Sequence, residues 1–209
     1  WSSDVCSSDL TLTTEDQIHR QFMLGYSHFV AQRFDQALPF FDSVRTKVKH
    51  PDYYASNYYY GFLSLRRQQY DQALSCLRLV EDHPEYRSIV PYYIGQLYYL
   101  QGKKAEAIAY VERKLQDPAS QYYELPLKQL LGHAYFEKRL FDKALPLLKE
   151  YVGKSDKVRR EDVYELSYCY HQSGQYEASI PGFRELSNVQ DSLSQHSMYL
   201  LGRSEEHTS

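Results

Sequence analysis

The sequence predicts an all-α protein: a right-handed α-α superhelix of five helix-turn-helix repeats, followed by the first helix of a sixth. Apolar residues recur at three- and four-residue steps, which is the spacing of an amphipathic helix. A pair of small residues recurs at intervals of 34 to 37 residues, and short polar turns separate the helical stretches. Repeated helix pairs bury their apolar faces by stacking on their neighbours, so these observations together predict a helical solenoid.

A pair of small residues marks each repeat, with its two members twelve residues apart. A glycine inside a helix costs about 1 kcal/mol relative to alanine. Its use at the same place in four of the five repeats therefore indicates that two antiparallel helices approach closely there. The pairs are Gly25 and Ala37, Gly61 and Ala73, Gly95 and Ala107, Gly132 and Ala144, and Ser167 and Ser179, and a further step of 35 residues reaches Gly202.

Each repeat consists of a first helix, which carries the glycine position, and a second helix, which carries the alanine position. Between them lie the short polar segments AQR, RQQ, QGK and QSG. The second helices begin with similar phrases, such as FDQALPFF, YDQALSCL and FDKALPLL. The repeats predicted in this way cover 18–51, 54–85, 88–119, 125–156 and 160–190, and a half repeat covers 191–202.

Prolines fall at two places in the repeats. One set lies in the longer connections between repeats, where helices are expected to end. The other set follows the small residue of the second helix by two positions, and we expect it near the first turn, where the missing N–H is tolerated best. The first set is Pro51, Pro84 and Pro118, and the second is Pro39, Pro146 and Pro181.

Residues 1–10 and 203–209 do not fit the repeat pattern. The last segment, RSEEHTS, is one translation of AGATCGGAAGAGCACACGTCT, which resembles a common short-read sequencing adapter. The reverse complement of that adapter, extended by its next bases, translates as WSSDVCSSDL. We therefore interpret both termini as translated adapter and expect them to be disordered. By the same reasoning we interpret 11–202 as an internal part of a longer protein.

The composition excludes several classes of partner. The chain has 24 Lys and Arg and 27 Asp and Glu, of which the two termini hold one and four. The remaining 23 basic and 23 acidic residues balance, so no net charge favours a nucleic acid or an anionic membrane. No run of 18 apolar residues is present to insert into a membrane. Cys76 and Cys169 are too few for a disulfide framework, and we expect them to be small core residues.

The spacing of large and small residues resembles that of the tetratricopeptide repeat family. A glycine is followed after nine, twelve and sixteen residues by an aromatic, a small and an apolar residue, as in Gly61, Tyr70, Ala73 and Leu77. The resemblance extends over essentially all of 11–202, although repeat three has Lys104 in place of the aromatic residue. Tyrosine-rich runs such as VPYYIGQLYYLQGK also resemble long repeat proteins of Bacteroidetes-type bacteria. The family resemblance implies stacked helix pairs whose first helices line a concave groove.

The sequence contains none of the motifs that are typical of common active sites. There is no HExxH metal motif, no GxSxG nucleophile motif and no glycine-rich phosphate loop. Acidic residues are scattered along the helices, as they are on solvated faces. Because function has to be argued from a site, we expect a protein that is not an enzyme and that uses no metal and no cofactor.

The groove contains the candidate binding residues. Positions six and three before the glycine, and one and four after it, are expected to face inward. Ten of these twenty positions hold Tyr or Phe and none holds Lys or Arg, which argues against the carboxylate clamp of some members of the family. The residues predicted to contact a partner are Phe22, Tyr26, Phe29, Tyr58, Phe62, Tyr92, Gln96, Tyr99, Gln129, His133, Phe136, Tyr164 and Tyr168.

Two interpretations of these aromatic residues remain open. The rings can pack between neighbouring first helices and form part of the core. They can also act as anchors for an extended peptide or a partner helix. The second interpretation predicts a protein-interaction scaffold with a protein or peptide partner. The alternatives are a sensor or docking region of a larger signalling enzyme, and a scaffold for envelope assembly or secretion. The location is left open between the periplasm or cell envelope and the cytoplasm.

Overall fold

The computed structural model describes residues 13–208, apart from the side chains of 119–121, and in this range it contains eleven α-helices, one 3-10 helix and no strand. The predicted all-α class is therefore confirmed. Residues 1–10, which we expected to be disordered, lie outside the described range. The α-helices are α1 Thr14–Val30, α2 Phe34–Val44, α3 Tyr53–Arg66, α4 Tyr70–Val80, α5 Val90–Leu100, α6 Lys104–Leu115, α7 Glu124–Glu137, α8 Phe141–Lys154, α9 Arg160–Gln172, α10 Tyr176–Leu186 and α11 Ser192–Thr208, and the 3-10 helix is Pro118–Tyr123.

The chain forms two compact units, which end and begin at His83 and Pro84. In unit 1, α1 packs on α2, α2 on α3 and α3 on α4. The helix α1 begins with a capping box, in which the Asp16 N–H donates to Thr13 Oγ1 at 3.1 Å and the Thr13 N–H donates to Asp16 Oδ2 at 3.1 Å. These bonds satisfy backbone groups that a helix start leaves open. The buried core includes Ala37, Phe41, Tyr60, Leu63 and Cys76.

In unit 2, each helix from α5 to α11 packs on the next, and the first helices of the repeats also contact one another. Leu97, Leu127, Leu148 and Phe183 are fully buried and supply much of the core. Because α5, α7, α9 and α11 lie side by side, residues one repeat apart meet along the face that these helices share. This arrangement positions the candidate site.

The predicted close approach at the glycine positions is confirmed. A Cβ atom added at Gly61 would lie 2.9 Å from Leu77 Cγ, and one added at Gly95 would lie 2.8 Å from Val111 Cγ2. Distances below 3.0 Å leave no room for a methyl group unless the neighbour moves. Glycine is therefore needed at these positions because the backbone of the first helix directly contacts side chains of the second.

The fifth repeat makes the same close approach with a serine in its first helix and a glycine in its second helix. Ser167 in α9 replaces the glycine, and Gly182 in α10 lies opposite it. A Cβ atom added at Gly182 would lie only 2.0 Å from Ser167 Oγ. The Ser167 hydroxyl donates to the Val163 carbonyl at 2.8 Å, which holds this oxygen in place. Because Ser167 is larger than glycine, Gly182 of the second helix provides the space that the contact needs.

The turn between the two helices of each repeat has one residue in the left-handed region. In the first turn, Gln32 has a φ of 58°. The Arg33 N–H donates to the His28 carbonyl at 2.8 Å, and the Gln32 N–H donates to the Phe29 carbonyl at 2.9 Å. This is a Schellman ending, which normally favours glycine. The residues in this position are Gln32, Gln68, Gly102, Arg139 and Gly174.

Three prolines lie deeper in their helices than the sequence predicts. Pro39, Pro146 and Pro181 are each the sixth residue of α2, α8 and α10, in the second turn rather than near the first. A proline at this depth removes one N–H from the hydrogen-bond ladder of the helix. The residues four positions earlier, Asp35, Asp142 and Glu177, are exposed, so the carbonyls that lose their partners can be solvated.

The last helix also differs from the prediction. Residues 203–209 were expected to be disordered, but α11 continues through Thr208. Ser204 is fully buried, and its hydroxyl lies 2.9 Å from Ser179 Oγ and donates to the Leu200 carbonyl at 2.9 Å. A Cβ atom added at Gly202 would meet no neighbour within 4 Å. The small residue in contact with α10 is therefore Ser204 rather than Gly202.

Candidate functional site

The predicted groove residues of unit 1 form an aromatic layer on its core. Phe22, Phe29 and Phe62 are half-buried against the core cluster. The ring of Phe29 lies 4.8 Å from that of Tyr59, a residue that the sequence pattern did not select. Tyr26 is 38% exposed and stacks on Phe22 at 6.2 Å. These rings pack against one another and against the core of unit 1.

Tyr58, the remaining predicted residue of unit 1, is also half-buried, and its ring lies 5.2 Å from that of Tyr59. The Tyr59 ring stacks in turn on the fully buried Phe41, at 5.1 Å and an angle of 18°. Tyr59 is therefore the central ring of the layer. Its position, two before the glycine, falls outside the four positions expected to face inward, so the periodicity alone does not reveal it.

Three predicted residues of unit 2 form a second aromatic group. Phe136 in α7 makes edge contacts with Tyr164 and Tyr168 in α9, at ring distances of 6.4 and 5.5 Å. The Tyr164 hydroxyl lies 2.7 Å from His196 Nδ1 in α11. Burial raises the pKa of Tyr164 to about 12, so its hydroxyl keeps its proton at neutral pH. These side chains hold α7, α9 and α11 together.

The other five predicted residues meet in one cleft of unit 2. Tyr92, Gln96 and Tyr99 come from α5, and Gln129 and His133 come from α7. The cleft has a volume of about 540 Å³. All five side chains are half-buried, so each presents part of its surface to the cleft.

A second cleft, of about 650 Å³, adjoins the first. It shares Tyr92, Gln129, Tyr151 and Lys157 with the first cleft and extends to Tyr122 next to α7. Tyr122 is 83% exposed, and its ring lies 5.3 Å from that of Tyr123. The Tyr123 ring lies in turn 5.7 Å from that of Tyr92. Aromatic rings therefore follow one another along the two clefts.

A chain of polar side chains crosses the first cleft. The Tyr99 hydroxyl lies 2.8 Å from His133 Nε2, and His133 Nδ1 is hydrogen-bonded to Glu165 in α9. The bond to Glu165 raises the pKa of His133, while burial opposes the shift. For the Tyr99 hydroxyl, in contrast, burial raises the pKa, because it disfavours the charged phenolate. Three successive first helices, α5, α7 and α9, are thus connected through one imidazole.

A second polar group supports the same wall. The Gln129 side-chain amide donates to Asp162 Oδ1 at 2.8 Å, and the Arg159 guanidinium donates to Asp162 Oδ1 and Oδ2 at 2.9 and 3.1 Å. Burial alone would raise the pKa of Asp162, but the hydrogen bonds from Arg159 and Gln129 lower it overall. Asp162 is therefore an ionised, buried carboxylate, and Arg159 is its counter-ion.

Three charged residues of the first cleft lie outside the positions that the sequence pattern selected, namely Lys157, Arg159 and Glu165. Lys157 and Arg159 lie in the connection between α8 and α9, and both line the first cleft. The groove was predicted to contain no basic residue because only positions on the first helices were considered. Glu165 was missed because it lies two positions before Ser167, outside the four positions expected to face inward. Only the packing of neighbouring helices brings these side chains to the cleft.

Two other kinds of feature, a metal cluster and a membrane-spanning helix, are not found in the described part of the chain. Among residues 13–208, no group of three His, Cys, Asp or Glu side chains is placed to hold a metal ion. No helix within residues 13–208 combines the length and the hydrophobicity that a membrane span requires. Cys76 and Cys169 are free and buried. Burial raises the pKa of the Cys169 thiol to about 12, so it is a core residue rather than a nucleophile.

Comparison with known proteins agrees with this architecture. The family model described as tetratricopeptide repeat matches residues 63–123. A search of curated proteins found no significant match. The fold is similar to that of MamA from AMB-1, at 20% identity, with a TM-score of 0.65 and coverage of 80% of this chain and 88% of that one.

Two further solved structures have a similar fold. One is YrrB, described as a TPR protein with an unusual peptide-binding site, at 14% identity, with a TM-score of 0.63 and coverage of 86% and 90% of the two chains. The other is a putative kinesin light chain from Podosopora anserina with TPR-like repeats, at 16% identity, with a TM-score of 0.54 and coverage of 95% and 99%. The chain therefore has the tetratricopeptide-repeat fold, and the family resemblance predicted from its repeats is confirmed.

Proposed function

We propose that this chain is a non-catalytic protein-interaction module that binds an extended peptide or a partner helix in the two adjoining clefts of unit 2. The observation that carries the proposal is the continuity of these clefts, which share Tyr92, Gln129, Tyr151 and Lys157. A run of half-exposed tyrosine rings with amides beside them is the chemistry of a peptide-binding surface.

The dimensions and chemistry of the clefts support this function. Their volumes, about 540 and 650 Å³, are within the range of about 300–1,000 Å³ found for ligand pockets. Tyrosine offers a large contact area and loses few rotatable bonds when it is ordered. The side chains of Gln96 and Gln129 add donors and acceptors of the kind that pair with a peptide backbone. YrrB, which has a similar fold, is described as having a peptide-binding site.

The proposal divides the predicted groove residues into two groups. Tyr92, Gln96, Tyr99, Gln129 and His133 line a cleft and are proposed to contact the partner. The other eight are proposed to serve mainly as packing between helices, because none of them lines either cleft and their rings contact neighbouring rings. This second group is Phe22, Tyr26, Phe29, Tyr58, Phe62, Phe136, Tyr164 and Tyr168.

The test is selection of peptides from a displayed random library on the whole chain, followed by measurement of their dissociation constants. We expect Tyr92→Ala to weaken binding by about tenfold or more, as loss of an aromatic anchor does. Tyr54→Ala is the matched control, because Tyr54 is a half-exposed tyrosine of unit 1. Circular dichroism should show equal helicity for both variants. Peptides that bind the two variants and the unmodified chain equally would refute the proposed site.

A further inference from the structure

The first cleft contains a buried carboxylate with an unused acceptor. The side chain of Glu165 is only 7% exposed, and it lines the cleft. One of its oxygens, Oε1, is hydrogen-bonded to His133 Nδ1. The other, Oε2, has no hydrogen-bond partner among the residues described. A buried acceptor without a donor is unfavourable, so this oxygen indicates that a donor from outside the chain belongs there.

The surroundings of Glu165 favour a positively charged donor. The rings of Tyr92 and Tyr99 line the same cleft, and aromatic faces attract cations. Arg159 does not neutralise Glu165, because its guanidinium is hydrogen-bonded to Asp162. Glu161, which is exposed, adds a second carboxylate to the wall, and the exposed Lys157 balances only one of the two.

We propose, on the basis of the peptide-binding function above, that the first cleft receives a basic side chain of the bound peptide. The ammonium of a lysine or the guanidinium of an arginine donates to the Glu165 carboxylate beside the rings of Tyr92 and Tyr99. Because Oε2 is itself buried, the Glu165 side chain turns toward the cleft to accept this bond. The aliphatic part of such a side chain packs against these rings. The cleft is thus a specificity subsite for one cationic residue within a longer ligand.

This arrangement couples binding to the protonation of His133. The charged and titratable groups that face His133 are Tyr99 on α5, Glu137 on α7, Glu165 on α9 and Arg159 before α9. When His133 is protonated, its charge is paired with Glu165 and repels an incoming cation. When it is neutral, Glu165 is available to the ligand. The affinity for a cation is therefore expected to increase as the pH rises through the pKa of His133.

An acidic side chain of the ligand, in place of a basic one, would give a different result in the same test. A carboxylate would pair with Lys157, which lines the cleft, and would not satisfy Glu165. Its affinity would fall as His133 loses its proton, because the cleft then loses a positive charge. The direction of the pH dependence therefore distinguishes a basic from an acidic side chain.

The experiment is an NMR titration of the isotope-labelled whole chain with three small probes. These are N-butylguanidinium, its neutral analogue N-butylurea, and the anion butyrate. We expect saturable shifts of the Tyr99 and His133 signals with N-butylguanidinium, stronger at about pH 8 than at about pH 5.5. Equal binding of the cation and its neutral analogue, or preferential binding of butyrate, would overturn the proposal.

A variant pair completes the test. Glu165→Gln keeps the shape of the side chain and removes its charge, and we expect it to weaken cation binding by about tenfold or more. Glu106→Gln is the control, because Glu106 is exposed on α6 and does not line the cleft. If Glu165→Gln proves unstable, the pH dependence measured on the unmodified chain decides the matter alone.

The subsite and the peptide-binding function fail in different ways. If selected peptides depend on Tyr92 but contain no Lys or Arg, the function stands and the basic subsite is refuted. If N-butylguanidinium binds through Glu165 but no peptide binds, the cation site stands and the peptide-binding function is refuted.

Discussion

Replacing Gly132 with leucine tests the contact on which the repeat depends. A Cβ atom at this position would lie 2.9 Å from both Cγ and Cδ2 of Leu148 and 3.4 Å from Cβ of Leu147. Leu148 is fully buried, so its side chain cannot swing into solvent to make room. The substitution must therefore separate α7 and α8 or force Leu148 into a strained rotamer.

The expected cost follows from two opposing effects. Extra carbon atoms in a packed core typically destabilise by about 1–3 kcal/mol, occasionally more. The better helix propensity of leucine offsets up to about 1 kcal/mol of this destabilisation. Because four carbon atoms are added against a fully buried neighbour, we expect a gross cost at or just above the top of the range for extra core carbons, about 3–4 kcal/mol, and hence a net loss of about 2–3 kcal/mol. A protein of this size loses about 2–4 °C per kcal/mol, so the melting temperature should fall by roughly 4–12 °C.

Thermal unfolding followed by circular dichroism at 222 nm measures this loss. Gly153→Leu is the matched control, because Gly153 lies in α8 and a Cβ atom there would meet no neighbour within 4 Å. The control should melt at or above the temperature of the unmodified chain, since leucine improves helix propensity. Adding Leu148→Ala to Gly132→Leu should cost less than Leu148→Ala costs alone, because the new side chain fills the vacated space. If Gly132→Leu and Gly153→Leu melt alike, α7 and α8 do not approach as closely as we infer.

In the fifth repeat, Gly182→Ala should lower the melting temperature, because the added methyl group clashes with Ser167 Oγ. Adding Ser167→Gly removes that oxygen and should restore most of the loss in the double variant. Purely additive shifts of the melting temperature would contradict this. Gln32→Gly should stabilise the protein by up to about 1 kcal/mol, because the φ of Gln32 is 58°, a value that glycine adopts without strain. An unchanged or lower midpoint in urea unfolding would contradict this. Amides of α11 should exchange faster than those of α7, since Met198 and Tyr199 are exposed on it; equal protection factors would count against this.

The sequence alone was enough to identify the helices and their pairing. Helix formation and the contact between two consecutive helices depend on spacings of three, four and twelve residues, which are visible in the chain itself. The glycine pattern also identified the places of closest approach, and at Gly61, Gly95 and Gly132 a Cβ atom would collide with the second helix. Local patterns are reliable here because each repeat contacts mainly its neighbours.

Features that depend on a compensating partner were not visible in the pattern. The fifth repeat has Ser167 where the others have glycine, and only the packed helices reveal that Gly182 supplies the missing space. The extension of α11 beyond Gly202 was missed for a related reason. It is stabilised by the burial of Ser204 against Ser179, a contact between residues 25 positions apart.

The candidate site likewise combines features that the sequence pattern predicts with features that only the packing of repeats decides. The sequence placed thirteen side chains on one face of the first helices, since a helix face is defined by its period. Whether a ring on that face lines a cleft or packs on a neighbour was decided by the distance to the next repeat, which no local pattern contains. The tertiary structure alone brought together His133, Glu165 and Lys157, because they come from two helices and a connection that meet only when the repeats stack.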